Sequence, residues 1–235
     1  YSNLLNSNPL GPIYIQMQKA EIEQNYVRIT FDNAVIEGNL NIPKKAKAIV
    51  LFAHGSGSSR FSPRNKYVAE VLQKSNLATL LIDLFTKEEE QEDDVTGSLR
   101  FNIEFLVDRL INIKNWLKQN PSTKNLKIGY FGASTGAGAA LAAAAKDKDI
   151  YAIVSRGGRP DLAGDYLADV KAPTLLIVGS KDTIVIDLNR KAMKQLKAEN
   201  KLEIVQGASH LFEEPNTLEK AAELAAKWFD NYLNA

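Results

Sequence analysis

Residues 127–146 read KIGYFGASTGAGAALAAAAK and contain the two patterns that decide the fold. Residues 128–131 form a short apolar run without alternation, which is typical of a strand covered on both faces. Residues 136–146 are almost all alanine, the strongest helix former. A buried strand that turns directly into a helix predicts one unit of a parallel sheet wrapped by helices.

The same succession of apolar runs and helical patterns extends through most of the chain. An antiparallel hairpin comes first, with strands at residues 26–30 and 35–42 joined by Asp32-Asn33. We predict further strands at residues 48–53, 78–82, 152–154, 174–178 and 202–205, and further helices at residues 66–74, 98–119, 187–198 and 218–233. Together they predict an α/β fold, with a mostly parallel central sheet, an N-terminal antiparallel hairpin and helices on both faces.

The chain divides into a polar arm at residues 1–22 and a single domain at residues 23–235. The acidic run at residues 87–94 lacks the spacing of metal ligands, so we predict a solvated loop and no metal site there. Between Ser155 and Thr174 there is room only for a loop and one short helix. We therefore expect no large cap domain and a shallow, open pocket.

Composition narrows the class of protein. Apolar residues make up 45% and charged residues 24% of the 235 residues, an ordinary globular balance. The net charge of +1 and the scattered basic residues argue against a nucleic-acid partner. The lack of cysteine excludes a thiolate nucleophile and a cysteine zinc site.

No apolar run approaches a membrane span, so we expect no membrane partner and take a cytoplasmic location as the default. Because the chain starts at Tyr1 and not at a methionine, the sequence leaves open whether a targeting segment precedes it.

Ser134 is the candidate nucleophile. It lies at the centre of residues 132–136, GASTG, which fit the pattern G-x-S-x-G between a strand and a helix. This context is typical of a nucleophile elbow, a strained turn that exposes the serine Oγ. Glycine two residues away on either side relieves the crowding of such a turn. The alternative is an incidental serine in a glycine-rich turn.

An activated serine needs a base, and the chain has only two histidines. His210 follows the last predicted strand, from where a loop can reach the edge of the sheet that carries Ser134. His54 ends an earlier strand and is followed by glycine. We predict that His210 is the base.

The acid that orients the base should lie between serine and histidine in the chain. Asp182 follows the predicted strand at residues 174–178, at the carboxyl end where α/β sheets hold their active sites. We predict Asp182 as the acid, against a role as a turn or helix-cap residue. Asp161 and Asp165, in the preceding loop, are the competing carboxylates, and we expect Asp83 to organise a loop.

An oxyanion hole needs two backbone N–H donors. Thr135, directly after the nucleophile, should supply one of them. The other should come from the loop at residues 54–60, HGSGSSR, whose small residues let the backbone approach a substrate. We predict Ser56 as this donor and Gly57 as the second choice. A flexible Gly/Ser loop is the alternative.

The glycines also permit a different interpretation. Gly132-x-x-x-Gly136-x-Gly138 matches the glycine spacing of short-chain dehydrogenases. In those enzymes the motif follows the first strand, whereas here it follows about the fifth. The chain also has no Tyr-x-x-x-Lys partner motif. We therefore predict no dinucleotide and no other cofactor.

Taken together, these motifs resemble the α/β-hydrolase superfamily and, within it, the dienelactone hydrolase family. The most specific pieces are residues 53–60, 132–136, 155–163 and 207–214. They are similar to a hydrolase branch that also occurs fused to phosphoribosyltransferase domains. The resemblance implies the α/β-hydrolase fold and metal-free hydrolysis of esters or lactones. Dienelactone hydrolases proper use a cysteine nucleophile, whereas position 134 is serine, so dienelactone as substrate does not carry over.

The expected partner is a small ester or lactone, bound by a monomer or homodimer. Candidates for the rim of its pocket are Arg60, Phe61, Phe85, Arg156, Arg159, Leu211 and Phe212. The arginines could hold a substrate carboxylate or tie loops together. Two other functions stay open: a thioesterase or acyltransferase with the same triad, and a ligand-binding protein that has lost turnover.

Overall fold

The computed structural model describes residues 22–32 and 34–233. Eight strands form one sheet: β1 (Ile22–Phe31), β2 (Ala34–Pro43), β3 (Ala48–Ala53), β4 (Ala78–Ile82), β5 (Lys127–Ala133), β6 (Ile153–Arg156), β7 (Thr174–Gly179) and β8 (Asn200–Val205). Their order is β1-β2-β4-β3-β5-β6-β7-β8. β2 pairs antiparallel with β1 and β4, and all other neighbours are parallel. The predicted mostly parallel sheet with an N-terminal hairpin is confirmed.

The connections between strands are largely helical. The described residues form α1 (Pro63–Lys74), α2 (Lys87–Thr96), α3 (Ile103–Gln119), α4 (Thr135–Lys146), α5 (Thr183–Met193) and α6 (Thr217–Leu233). A 3₁₀ segment, Pro160–Asp169, lies between β6 and β7, where the sequence leaves room for one short helix.

Strand β3 shows why the central strands are apolar without alternation. Ile49, Leu51 and Ala53 contribute to the core on one face, which α3 and α4 cover. Ala48, Val50 and Phe52 contribute to the core on the other face, which α1 and α6 cover. Because successive side chains of a strand point to opposite faces, a strand covered on both faces is apolar throughout.

The acidic run is a helix, not the loop that its charge predicts. The Thr86 side chain accepts from the Glu89 N–H at 3.2 Å, and the Glu89 carboxylate accepts from the Thr86 N–H at 2.8 Å. This capping box satisfies two donors at the start of α2. The acidic first turn complements the helix dipole, and Gly97 ends the helix at φ 63°.

The limits of other helices also differ from the prediction, and α1 begins at Pro63, three residues before its predicted start. The helix predicted from residue 98 begins at Ile103, because the Asn102 side chain caps it through the Phe105 N–H at 3.1 Å. The helix predicted at residues 187–198 begins four residues earlier, at Thr183, and ends at Met193.

The predicted N-terminal arm lies outside the described residues, except for Ile22, which begins β1. Among the helices that the structure describes, none has both the length and the sustained hydropathy of a membrane span.

Candidate active site

Ser134 connects β5 to α4 in a strained backbone conformation, with φ 51° and ψ −123°. Positive φ is costly for a residue with a Cβ and persists only where the surroundings enforce it. The Ser134 N–H donates to the Arg156 carbonyl at 3.4 Å, and the Arg159 N–H donates to the Ser134 carbonyl at 3.0 Å. The segment after β6 therefore holds the candidate nucleophile in its turn.

The glycines on either side of Ser134 permit a close approach of backbone to backbone. A Cβ on Gly136 would lie 2.2 Å from the Ala53 carbonyl oxygen at the end of β3. A Cβ on Gly132 would lie 2.4 Å from the Ala137 Cα. No side chain fits at either position, which is the physical reason for the G-x-S-x-G spacing.

His210 and Asp182 are joined by a hydrogen bond of 2.6 Å between Nδ1 and Oδ2. A carboxylate only accepts, so Nδ1 carries a proton, and in the neutral form of the imidazole Nε2 is then an acceptor. Asp182 precedes the first residue of α5, but its side chain makes no cap hydrogen bond. The Asp182 carboxylate therefore accepts a hydrogen bond from the His210 imidazole and does not cap the helix.

Ser134 and His210 approach the same segment of backbone. Gly157 directly follows Arg156, whose carbonyl accepts the Ser134 N–H. A Cβ on Gly157 would lie 3.6 Å from two His210 ring atoms. Within the part of the chain that the structure describes, the Ser134 hydroxyl makes no hydrogen bond. Hydrogen bonds between nucleophile and base often tighten only when substrate binds.

Glu214 organises the loop that carries His210. Its carboxylate accepts from the Ser209 N–H at 2.9 Å and from the Ser209 hydroxyl at 3.2 Å. The Lys181 ammonium donates to its other oxygen at 3.2 Å. Because Lys181 precedes Asp182, Glu214 connects the loops of both residues. The Ser209 N–H is the main reason why the pKa of Glu214 falls from 4.5 to about 2.

We expect Glu214→Gln to destabilise the fold at neutral pH and to lose this effect in acid. The folded-state pKa is depressed, so the carboxylate stabilises the fold above its ordinary pKa and loses that contribution as pH falls toward about 2. Urea unfolding of both proteins at neutral pH and at stepwise lower pH measures the effect. Glu213→Gln, at an exposed neighbour, is the control. A stability gap that stays constant across this range would contradict the role of the Glu214 charge.

The two expected oxyanion donors lie beside Ser134. Thr135 is the first residue of α4, so its N–H precedes the first intrahelical hydrogen bond. A Cβ on Gly55 would lie 3.0 Å from the Ser134 Cβ, so the loop after β3 packs against the nucleophile. The Ser56 N–H, however, donates to the Thr135 Oγ1 at 2.9 Å.

His54 has a structural position. It is buried, and a hydrogen bond of 2.8 Å joins its Nδ1 to the Gly55 carbonyl oxygen. Its Nε2 accepts from the Leu84 N–H at 3.1 Å. Burial lowers the pKa of this imidazole. Both ring nitrogens are used in connecting the loops after β3 and β4, which leaves His210 as the histidine available to Ser134.

Two of the three candidate substrate arginines are bound by carboxylates. Arg60 pairs with Asp83 and Glu37, and its N–H also donates to Asp83, which organises this loop as expected. Arg159 makes a bidentate pair with Asp161 at 2.8 and 2.7 Å. This pair also occupies one of the carboxylates that compete with Asp182.

Arg156 is different, because it is buried with no carboxylate partner among the described residues. Among the residues that the structure describes, its Nη2 donates to the Asn65 Oδ1 at 3.3 Å and its Nε has no partner. The guanidinium lies 5.6 Å from the Phe212 ring centroid. Desolvation, with a smaller contribution from Arg64, lowers its pKa from 12.5 to about 10.

The apolar candidates for the rim of the pocket differ in their exposure. Phe212 is only 2% exposed and packs in the core under α1 and α6, so its prediction as a rim residue is wrong. Phe61 and Leu211 are exposed. Ile184, which follows Asp182 by two residues, is also exposed.

A groove of about 1060 Å³ lies between the β1–β2 hairpin and helices α2 and α3. Three rim candidates, Arg60, Phe61 and Phe85, line it, whereas none of Ser134, Asp182 and His210 does. The groove is therefore separate from the candidate active site at Ser134, Asp182 and His210. The described residues contain no cluster of His, Asp and Glu suited to a metal ion.

The strand order, the helices on both faces and the serine elbow after β5 are those of an α/β-hydrolase. The fold thus defines the class of protein. Within this class, the sequence profile of the dienelactone hydrolase family matches residues 36–234. The chain belongs to the dienelactone hydrolase family.

The chain is also similar to individual relatives and solved structures. A dienelactone hydrolase from Anabaena variabilis has 56% identity and a TM-score of 0.88, over 90% of this chain and 99% of that one. A Mycobacterium tuberculosis protein provisionally named a phosphoribosyl transferase is 53% identical over 88% of this chain. The match spans only 46% of that relative's length. An esterase from Pyrococcus furiosus, 19% identical over 92% of this chain and 95% of its own, shares the fold with a TM-score of 0.71.

Proposed function

We propose that this protein is a serine hydrolase that cleaves carboxylic esters or lactones of small substrates through an acyl-enzyme. The observation that carries the proposal is the 2.6 Å hydrogen bond between His210 and Asp182, on the same backbone segment that holds a serine at positive φ. A side-chain carboxylate that orients an imidazole next to a strained serine is the arrangement that nucleophilic acyl transfer needs.

In the proposed mechanism, the Ser134 Oγ attacks the ester carbonyl while the His210 Nε2 takes the hydroxyl proton. Asp182 keeps the proton of the neutral imidazole on Nδ1 and stabilises the imidazolium that forms. Backbone N–H groups beside Ser134 stabilise the oxyanion. His210 then returns its proton to the leaving alcohol and activates the water that hydrolyses the acyl-enzyme.

The alternatives use the same residues. A thioesterase or acyltransferase would need the same triad and differ only in leaving group or acceptor. A protein without turnover would have no need for the Asp182–His210 pair. The phosphoribosyl transferase name belongs to a relative of which this chain matches 46%, and it describes that whole protein. The residues of this chain support acyl transfer.

A fluorophosphonate probe tests the proposal directly. We expect a single covalent label on Ser134, located by peptide mass spectrometry, and its loss when His210 is replaced by alanine. A panel of 4-nitrophenyl esters, matched acyl thioesters and lactones then identifies the preferred leaving group. A protein that takes no label and cleaves none of these substrates would be a binding protein.

We further propose that Arg156 binds an acidic group of the substrate. A buried guanidinium without a carboxylate is costly, and a substrate anion would compensate its charge. The backbone of Arg156 is adjacent to the nucleophile, because its carbonyl accepts the Ser134 N–H. Arg60 and Arg159 are less suited, since carboxylates of the protein already occupy them.

We expect Arg156→Gln to lower kcat/KM for a monoester of a dicarboxylic acid relative to its methyl-capped analogue. Hydrogen bonds to charged groups contribute about 1.5–3 kcal/mol, so the ratio should fall on the order of 10- to 100-fold. The control is Arg159→Gln, whose guanidinium is paired with Asp161. An unchanged ratio in a folded, active Arg156→Gln protein would make Arg156 a packing residue.

A further inference from the structure

The expected oxyanion hole has an unusual feature, in that one of its donors is already bonded to the residue that supplies the other. The Ser56 N–H donates to the Thr135 Oγ1 at 2.9 Å, across 79 residues of sequence. Thr135 is only 4% exposed, so this hydroxyl is shielded from bulk water. When a substrate binds, the Ser56 N–H is therefore already hydrogen-bonded to the Thr135 hydroxyl.

The hydroxyl of threonine has one proton to donate and two lone pairs that accept. The Ser56 N–H uses one lone pair. No acceptor among the described residues takes the proton of this hydroxyl. The proton is therefore available to a ligand while the Ser56 bond stays intact.

Thr135 has two donors next to the nucleophile, a backbone N–H and a side-chain hydroxyl. It is the first residue of α4, where the backbone N–H points out of the helix end without an intrahelical partner. Its side chain lies on the side of the Ser56 loop, which packs against Ser134 at Gly55. The backbone N–H and the hydroxyl of one helix-start residue can bind the same anion.

We propose that the Thr135 hydroxyl is an oxyanion donor, and that Ser56 acts through it. The Thr135 N–H and Oγ–H donate to the oxyanion, and the Ser56 N–H holds and polarises the hydroxyl. This inference rests on the proposed hydrolase function. In the alternative, which we call displacement, the Thr135 side chain rotates away when substrate binds, and the Ser56 N–H donates directly to the oxyanion. Displacement would leave a shielded hydroxyl to find new partners and must rotate a β-branched side chain.

Thr135→Val tests the proposal, because valine keeps the shape and removes the hydroxyl. We expect kcat to fall on the order of 10²-fold with little change in KM, as for the loss of one oxyanion donor. Affinity for a trifluoromethyl ketone, whose adduct with Ser134 carries an oxyanion, should fall in parallel. Thr135→Ser, which keeps the hydroxyl, should retain most of the activity and of this affinity.

An unchanged or increased kcat in Thr135→Val would overturn the proposal, since a hydroxyl that merely blocks the hole should cost nothing when removed. If the valine variant does not fold, Thr135→Ala carries the same expectation. Fluorophosphonate labelling of the wild-type protein distinguishes a failure of the hydrolase proposal from a failure of the proposed role of Thr135. Absence of the label refutes the hydrolase function, whereas a labelled protein with normal Thr135→Val kinetics refutes only the role of Thr135.

Discussion

Ser134→Ala is expected to lower kcat for an activated ester by on the order of 10⁴- to 10⁶-fold, the loss typical of removing a serine nucleophile. Without Oγ no acyl-enzyme can form, and only direct attack by water remains. Binding groups around the site stay in place, so KM should change little. The measurement is steady-state hydrolysis of a 4-nitrophenyl ester, with active sites of the wild-type protein counted by fluorophosphonate titration.

Ser155→Ala is the matched control for this experiment. Ser155 lies on the neighbouring strand β6, is fully buried, and has a hydroxyl without a partner among the described residues. Its replacement should leave kcat near the wild-type value. If activity in Ser134→Ala survives within about tenfold of the wild type, Ser134 is not the nucleophile.

Asp182→Asn should have the second largest effect, a fall in kcat on the order of 10⁴-fold. The asparagine amide can donate to the His210 Nδ1, and the imidazole proton then moves to Nε2. In that tautomer Nε2 cannot take the proton of Ser134. The loss should appear in kcat at every pH at which the imidazole is neutral, while the free energy of unfolding changes far less.

The control for this variant is Asp187→Asn on α5, the helix that follows Asp182, where the carboxylate is exposed and pairs with Arg190 at 3.3 Å. Asp161→Asn tests the competing carboxylate. A normal kcat in Asp182→Asn, together with a large loss in Asp161→Asn, would transfer the acid role to the loop after β6.

The strands were predictable because a strand covered on both faces has an apolar sequence wherever it lies in the sheet. Strands β3 and β4 have the predicted limits, and the hairpin and the parallel pairing follow the prediction. Helix α2 differs from the prediction because the charge of residues 87–94 favours a solvated loop, whereas the residues at its two ends favour a helix. Thr86, Glu89 and Gly97 carry a start and stop signal that the sequence contains.

The chemistry of the candidate site was only partly predictable. Spacing alone places Ser134 in an elbow, since the crowding at Gly132 and Gly136 is a local property of a tight turn. Which arginine is left unpaired was not predictable, because Arg60, Arg156 and Arg159 are chemically equal until their neighbours are known. The Ser56–Thr135 hydrogen bond likewise depends on two loops that the sequence separates.

Local sequence was sufficient for the succession of strands and helices along the chain apart from α2, for the strained turn at Ser134 and for the choice of candidate catalytic residue types. These properties depend on residues within a few positions of one another. The folded sheet alone decided that Asp182 meets His210 and that Thr135 accepts from Ser56. A hydrogen bond needs its two heavy atoms within about 3 Å, and only the packing of all the intervening elements sets that distance.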